Sequence, residues 1–360
     1  MCPGLSRSVL CVISLAWCWA SPVWAQEWSP TRPIKIVVPI VGSTNDTIAR
    51  LVAPRLQEAV GQHVVVENKP GAGGNIGTEF VARSPADGHT LMVGYNGPLA
   101  INVSLFDKMP IDPQKDLTPI TLAVKSPQYL VTGPSADFKT VQEFIAKAKA
   151  APSKYSYASI AVGSASHLTM EMFKQAASFQ ATHVPYKGAT PAVTDLLAGS
   201  VHVAFMVPGN VKQFVQQGRL NLLATTGEKR FPSTPNVPTL IELGFKDMEA
   251  SGWVGFLLPA NTPRPIVDRY HKELVKIFRT PEMTAKMAEM EYEVMATTPE
   301  QFSQWIRSET VRWGAVVKST GAKKTAARRF AVFATPILSA PMARVAASLP
   351  MPRARQIGRA

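Results

Sequence analysis

The sequence predicts an α/β protein made of two similar lobes that face each other. Three observations carry this. Short β-branched runs alternate with helical periods, as in largely parallel sheets covered by helices. A strand–loop–helix module ending in Gly42-Ser43-Thr44-Asn45-Asp46 has an architectural counterpart ending in Gly163-Ser164-Ala165-Ser166. The 360 residues, 46% hydrophobic and 18% charged, suffice for one or two cored domains.

The elements follow in order. Residues 34–38 read as a strand, and the next helix places Ile48, Leu51, Val52 and Leu56 on one face. A strand at 63–67, a helix at 75–83 and, after the turn at 85–88, a strand at 90–93 complete the first unit. Val141, Phe144, Ile145 and Ala148 mark another amphipathic helix. The second unit reads as strand 155–159, helix 164–177, strand 181–184, helix 190–198 and strands 201–205 and 221–225. The stretch 231–238 carries three prolines and no helical period, so it reads as a loop. A strand at 253–258 leads back to the first lobe, and helices opening at Pro265, Pro281 and Pro299 finish the fold. Crossovers fall near Gln128 and Gly252.

Arg7, the apolar run 9–20 and the small-x-small site Val23-Trp24-Ala25 read as an export leader cleaved after Ala25. That run is shorter than the roughly 20 residues a membrane helix needs. Cys2, Cys11 and Cys18 all lie in this leader, so the exported chain is expected to lack disulfides, thiolate metal sites and thiol nucleophiles. Of the formal net charge of +13, Arg7 supplies one unit and the acid-free tail 325–360 supplies six. The remainder is a mild excess without a dense basic block, which suits anionic small molecules better than nucleic acid. The tail, broken by Pro336, Pro341, Pro350 and Pro352, is expected to be disordered.

The glycine run Pro70-Gly71-Ala72-Gly73-Gly74-Asn75-Ile76-Gly77 fails as a dinucleotide fingerprint because Ile76 stands where the last glycine belongs. It reads equally as a structural turn or as an anion loop presenting backbone N–H groups at a helix end. Ser43, Thr44, Asn45 and Asp46 are more capping residues than one helix needs, so some of them are candidates to face a ligand. Asp46 is expected to hold the loop itself. Ser164 and His167 sit one helical turn apart but lack a nucleophile elbow and an orienting acid, which argues against catalysis. The other histidines are scattered and imply no metal site. Tyr186-Lys187-Gly188 reads as a turn with an exposed lysine, or as a site where Tyr186 packs a ligand that Gly188 lets the backbone approach.

From about residue 30 to 324 the chain resembles the receptor family of tripartite tricarboxylate transporters, the Bug-type solute-binding proteins. The resemblance rests on Arg32-Pro33-Ile34-Lys35-Ile36-Val37-Val38-Pro39, Ala49-Arg50-Leu51 and Val66-Glu67-Asn68-Lys69 running into the glycine loop. Ala86-Asp87-Gly88-His89-Thr90-Leu91, His167-Leu168 and His183-Val184-Pro185-Tyr186-Lys187-Gly188 continue it.

The resemblance implies a periplasmic-binding-protein fold of type II, two α/β lobes with a hinged ligand cleft. Lobe 1 would be 26–128 plus 252–324 and lobe 2 would be 129–251. It also implies a periplasmic monomer that catalyses nothing, needs no cofactor or metal, and presents a small carboxylate to membrane permease subunits. That ligand would be a di- or tricarboxylate, an amino acid or an aromatic acid. By motif, the ligand residues would be Thr44, Asn45, Asp46, Gly73 and Asn75 in lobe 1. In lobe 2 they would be Ser159, Gly163, Ser164, His167, Tyr186, Lys187 and Gly188. Alternatives are a carboxylate sensor without a transporter and a serine hydrolase using Ser164 and His167.

The sequence departs from the family at Ser43, where a second glycine is common, and at Ile160 and Ala161, where glycine or serine is common. The latter pair points to a ligand with an apolar body. The arginine-rich tail is a further departure. Deleting residues 325–360 should leave the melting temperature and ligand binding unchanged. A truncated chain that melts lower, or no longer binds, would place the tail within the domain.

Overall fold

The computed structural model describes residues 28–152 and 154–323; the leader with its cysteines and the tail from 325 lie outside the described residues. In chain order the strands are β1 (Ile34–Val38), β2 (Val64–Asn68), β3 (Thr90–Tyr95) and β4 (Leu117–Pro127). There follow β5 (Tyr129–Thr132), β6 (Ser156–Ser159), β7 (Thr182–Pro185), β8 (Val203–Met206) and β9 (Asn221–Thr225). Last come β10 (Ser251–Pro259) and the short β11 (Glu293–Val294).

These strands form two sheets, ordered β11-β4-β10-β3-β1-β2 and β7-β6-β8-β5-β9. Each sheet contains three parallel strands ordered second, first, third, then one antiparallel strand, then a fourth. In each case the antiparallel strand is the one entered directly after the chain crosses from the other sheet: β5 on the way out, β10 on the way back. The two lobes therefore share one topology and exchange one strand. The crossings are stitched to each other, because Gln128 N–H donates to Thr226 Oγ1 (2.8 Å) and Thr226 N–H donates to the Gln128 carbonyl (2.9 Å).

Helices α1 (Thr44–Val60), α2 (Asn75–Ala82) and α3 (Asn102–Leu105) belong to the first sheet. The second sheet carries α4 (Val141–Ala150), α5 (Ala165–Ala177), α6 (Ala189–Ala198) and α7 (Pro208–Gln216). Helices α8 (Arg264–Phe278), α9 (Pro281–Glu289) and α10 (Pro299–Thr320) return to the first. Each of these last three carries proline in its first turn, where the missing N–H costs no hydrogen bond. The strands and helices read from sequence recur within a few residues. The additions are β4, β5, β11, α3 and α7.

Strands β3 and β10 are buried along their whole length, as central strands covered on both faces must be. One feature of this core bears directly on the cleft. Glu309 of α10 is buried and accepts the indole N–H of Trp253 (2.8 Å) and of Trp313 (2.9 Å), with Arg312 alongside at 3.3 Å. Trp253 thereby has a fixed ring beside the space between the lobes. Replacing Glu309 by leucine leaves two buried indole donors without an acceptor. We expect Glu309→Leu to lower the unfolding free energy by about 2–4 kcal/mol in a urea titration. Glu309→Gln, whose amide oxygen still accepts, should lose less.

Candidate functional site

Between the lobes lies a cavity of about 30 Å³, room for one or two waters. Lobe 1 lines it with Ser43, Thr44 and Asn45 at the start of α1, with Tyr95 and Asn96 at the end of β3, and with Trp253 and Tyr292. Gln128 lies at the crossover, and lobe 2 contributes Ile160, Ala165, Ser166, Phe205, Met206, Val207 and Asn210. No arginine, lysine or histidine is among these lining residues. The two phenols are the titratable groups in this set, and burial raises both: Tyr95 well above its ordinary range and Tyr292 to about 12. A nearby Thr44 hydroxyl pulls Tyr292 slightly the other way. Both therefore stay neutral at physiological pH and can act as O–H donors.

The beginning of α1 is the least satisfied part of this surface. Ser43 occupies the cap position in an extended conformation, yet its side chain makes no capping bond. Its Oγ and the Nδ2 of Asn45 are buried with no hydrogen-bond partner, and both residues line the cavity. The N–H groups of a first helical turn have no intrahelical acceptor, and they form the positive end of the helix dipole. Here one of them is met from across the cleft. Thr44 donates through both N–H (3.2 Å) and Oγ1–H (3.0 Å) to Asn210 Oδ1, in the first turn of α7.

The corresponding loop of lobe 2 is bonded within itself. Ser164 caps α5 by accepting the His167 N–H, and its hydroxyl donates to the Ala161 carbonyl at 2.7 Å. Ser166 Oγ accepts the Ile160 N–H (3.1 Å) and lies 2.9 Å from Ser164 Oγ. Ser159 is bonded to the Ala161 carbonyl and to His183 Nε2. His167 accepts the Gly163 N–H on Nδ1 and stacks on His183, with ring centroids 4.1 Å apart. Ser159, Gly163, Ser164 and His167 thus build the loop and stand behind the cavity wall, with Ile160, Ala165 and Ser166 in front. The Ser164 hydroxyl is held by backbone and Ser166, so the pair with His167 has the geometry of a helix cap.

Most of the remaining sequence candidates have structural partners. Asp46 accepts from Arg50 (2.9 Å) and Asn68 (2.7 Å), tying α1 to the end of β2 rather than holding the loop's N–H groups. Asn75 is buried between Asn102, which donates to its Oδ1 at 2.6 Å, and the sulfur of Met109. The carbonyl of Gly73 accepts from Tyr95 and Asn102. Tyr186 gives its hydroxyl to Asp195 at 2.6 Å, and Lys187 is exposed outside the cavity lining. Gly188 does permit a close backbone approach, as its sequence context suggested, but the neighbour is the opposite lobe. At φ +143° it forms a bridge with Val41, and a Cβ there would lie 2.2 Å from the Val41 carbonyl. Gly163 makes a second such seam, since its Cβ would lie 2.0 Å from Asn102 Oδ1. Both glycines let the lobes close on each other.

Of the residues singled out from sequence as ligand candidates, Thr44 and Asn45 line the cavity; Asn210, Gln128, Asn96, Trp253 and Tyr292 line it without having been named as candidates. A signal for Asn210 was present: Pro208-Gly209-Asn210 follows β8 as a third strand–turn–helix start, with proline suited to a first turn. Gly209 lets that turn approach, since a Cβ there would lie 2.6 Å from the Thr44 methyl.

Two lobes of one topology, joined by exchanged strands and enclosing a charge-free cavity at a helix end, define a solute-binding receptor of the two-lobed α/β class. The family described as "Tripartite tricarboxylate transporter family receptor" matches residues 48–322, and the chain belongs to it. Protein BugT of Bordetella pertussis is 36% identical over 306 residues, covering 84% of this chain and 94% of BugT. Among solved structures, R. palustris Rpa4515 with adipate is 34% identical with a TM-score of 0.79, covering 81% of this chain and 98% of Rpa4515. MatC (Rpa3494) from Rhodopseudomonas palustris with bound malate is 28% identical with a TM-score of 0.77, covering 80% of this chain and 99% of MatC.

The bonds of Asn75 change what its removal should do. Asn75→Ala takes a buried acceptor from Asn102, so we expect it to cost about 1–3 kcal/mol of stability. Its effect on ligand affinity should be smaller than that of changes at Asn45. Chemical denaturation and a binding titration of the same variant separate the two effects.

Proposed function

We propose that this chain is an extracytoplasmic receptor that captures a small carboxylate between its lobes and delivers it to the permease subunits of a tripartite tricarboxylate transporter. The observation that carries this reading is the beginning of α1. Ser43 Oγ and Asn45 Nδ2 are buried donors without partners, facing a cavity that no cation lines. A carboxylate seated there would accept these two groups and the N–H groups of the first turn. That combination holds an anion through fixed dipoles rather than an ion pair. Adipate in one relative and malate in another support the class of ligand.

The walls favour an apolar body next to the carboxylate. Ile160, Phe205, Met206, Val207 and Trp253 line the same cavity as the start of α1, and the polar groups of the lobe 2 loop are already paired. Closure seals the ligand from water and completes the seams at Gly188 and Gly163; the lobes then part to release it. In this reading lobe 1 is 26–128 with 252–324 and lobe 2 is 129–251. The leader is removed after Ala25, the mature receptor works as a monomer in the periplasm, and it catalyses no reaction.

The experiment is a calorimetric titration with adipate and malate, and with their methyl esters. We expect at least one of the acids to bind and its ester not to. A charge-assisted hydrogen bond is worth roughly 1.5–3 kcal/mol, so Ser43→Ala and Asn45→Ala should each weaken binding by about ten- to a hundredfold. Lys187→Met should bind as the unchanged protein does. If Lys187→Met abolishes binding while both α1 variants bind normally, the anion is held by a lysine and the reading fails.

A further inference from the structure

Asn210 makes a contact that the capture of a ligand does not explain. Its carboxamide oxygen, carried by lobe 2, accepts two hydrogen bonds from Thr44 of lobe 1 at 3.2 and 3.0 Å. Both donors belong to the helix end that lacks a cap of its own. The acceptor thus stands where one oxygen of a bound carboxylate would stand. The neighbouring donors, Ser43 Oγ and Asn45 Nδ2, are buried without a partner. The cavity left beside it, about 30 Å³, is too small for an organic acid.

We infer that Asn210 is an internal surrogate for the ligand, a neutral plug that holds the closed lobes together until a carboxylate displaces it from Thr44. This rests on the reading of the α1 end as the carboxylate site. It also gives that site a selectivity rule. A carboxylate exchanges two neutral hydrogen bonds for charge-assisted ones and gains, whereas an amide or ester exchanges like for like. Asn210 would therefore set the threshold that separates anions from their neutral analogues, as well as the population of closed, ligand-free receptor.

The test asks whether the helix end prefers a charged plug, and it needs no external ligand. Asn210→Asp places a carboxylate on the same arm. Of the titratable groups near it, Tyr292 lines the same cavity and burial keeps its phenol neutral. Asp46 shares a surface cleft with Asn210 and is already bonded to Arg50 and Asn68, and Lys212, two residues on along α7, is paired with Glu291 at 2.8 Å. We expect the variant to melt about 2–4 °C above the unchanged protein near pH 7. A carboxylate stabilised in the folded state has a lowered pKa. Its contribution is present above the ordinary aspartate value of about 3.9 and is lost as pH falls through the folded value, so the advantage should decline in that window.

In a Lys212→Met background the same step from Asn210 to aspartate should keep its advantage, which separates the helix end from a new lysine pair. Asn210→Ala should scatter X-rays as a more open particle than the unchanged protein without ligand. An Asn210→Asp chain that melts no higher than the unchanged one near pH 7, or an advantage that vanishes with Lys212→Met, would overturn the inference. Adipate or malate binding with no Asn210→Asp effect removes the plug and keeps the receptor. An Asn210→Asp effect with no acid bound keeps the anion-seeking helix end and removes those ligands.

Discussion

The closed arrangement of this protein depends on a helix that begins without a cap. A first turn exposes N–H groups that must find acceptors, and the usual solution is the side chain of the residue just before it. Thr140, Ser164, Thr280 and Thr298 do this elsewhere in the chain. At α1 the cap residue Ser43 does not, and the acceptor arrives from the other lobe as Asn210. A deficit that a neighbouring side chain could fill is met instead from across the cleft, at one of the places where the two lobes meet. Local stability is thereby exchanged for an interaction that exists only when the lobes come together.

The rest of the fold holds that point in register. Apart from the short edge strand β11, the two sheets have matching strand orders and exchange β5 and β10, and the crossings are bonded to each other through Gln128 and Thr226. Hinged lobes joined in this way can separate without unfolding either core. Gly188 against Val41 and Gly163 against Asn102 allow backbone contact at two further seams, which larger residues would prevent. A third contact lies just after the end of α9. There Glu291, buried, receives Tyr129, Ser233 and Lys212 of the other lobe. The hydroxyl of Tyr129 is held well above its ordinary pKa by burial and then by that carboxylate.

Much of this was legible in the sequence because it follows from period and turn chemistry. The alternation of strand and helix, the restart of the pattern near residue 155 and the prolines opening the last three helices all have local causes. The two lobes and the crossings near Gln128 and Gly252 follow from that pattern, and the α1 loop stood out because it held more capping residues than one helix uses. What the sequence could not disclose was which donors would be left over. Asn75 and Asn45 look alike as residues at helix starts, yet Asn75 is consumed by Asn102 and Asn45 Nδ2 has no partner. Ser164 and Ser43 are both cap-position serines, and one caps its helix while the other does not. Those outcomes depend on contacts between residues far apart in the chain. Tyr186 is a similar case: its ring sits in a plausible ligand motif, and its hydroxyl is claimed by Asp195 on the next helix.

A site made of neutral donors behaves differently in one measurable respect from an ion pair to a group that titrates near neutrality, such as a histidine. The titratable groups lining the cavity are two phenols raised by burial, so binding a carboxylate anion there should neither take up nor release a proton. The direct measurement is calorimetry of adipate binding in buffers of different ionisation enthalpy, between about pH 6 and pH 9. A carboxylate seated on neutral donors binds with an affinity that is constant across that range and an enthalpy that does not change with the buffer. An enthalpy that follows the buffer, with affinity falling as pH rises, would show a side chain that titrates near neutrality, such as a histidine, at the carboxylate and contradict the uncapped helix as its seat.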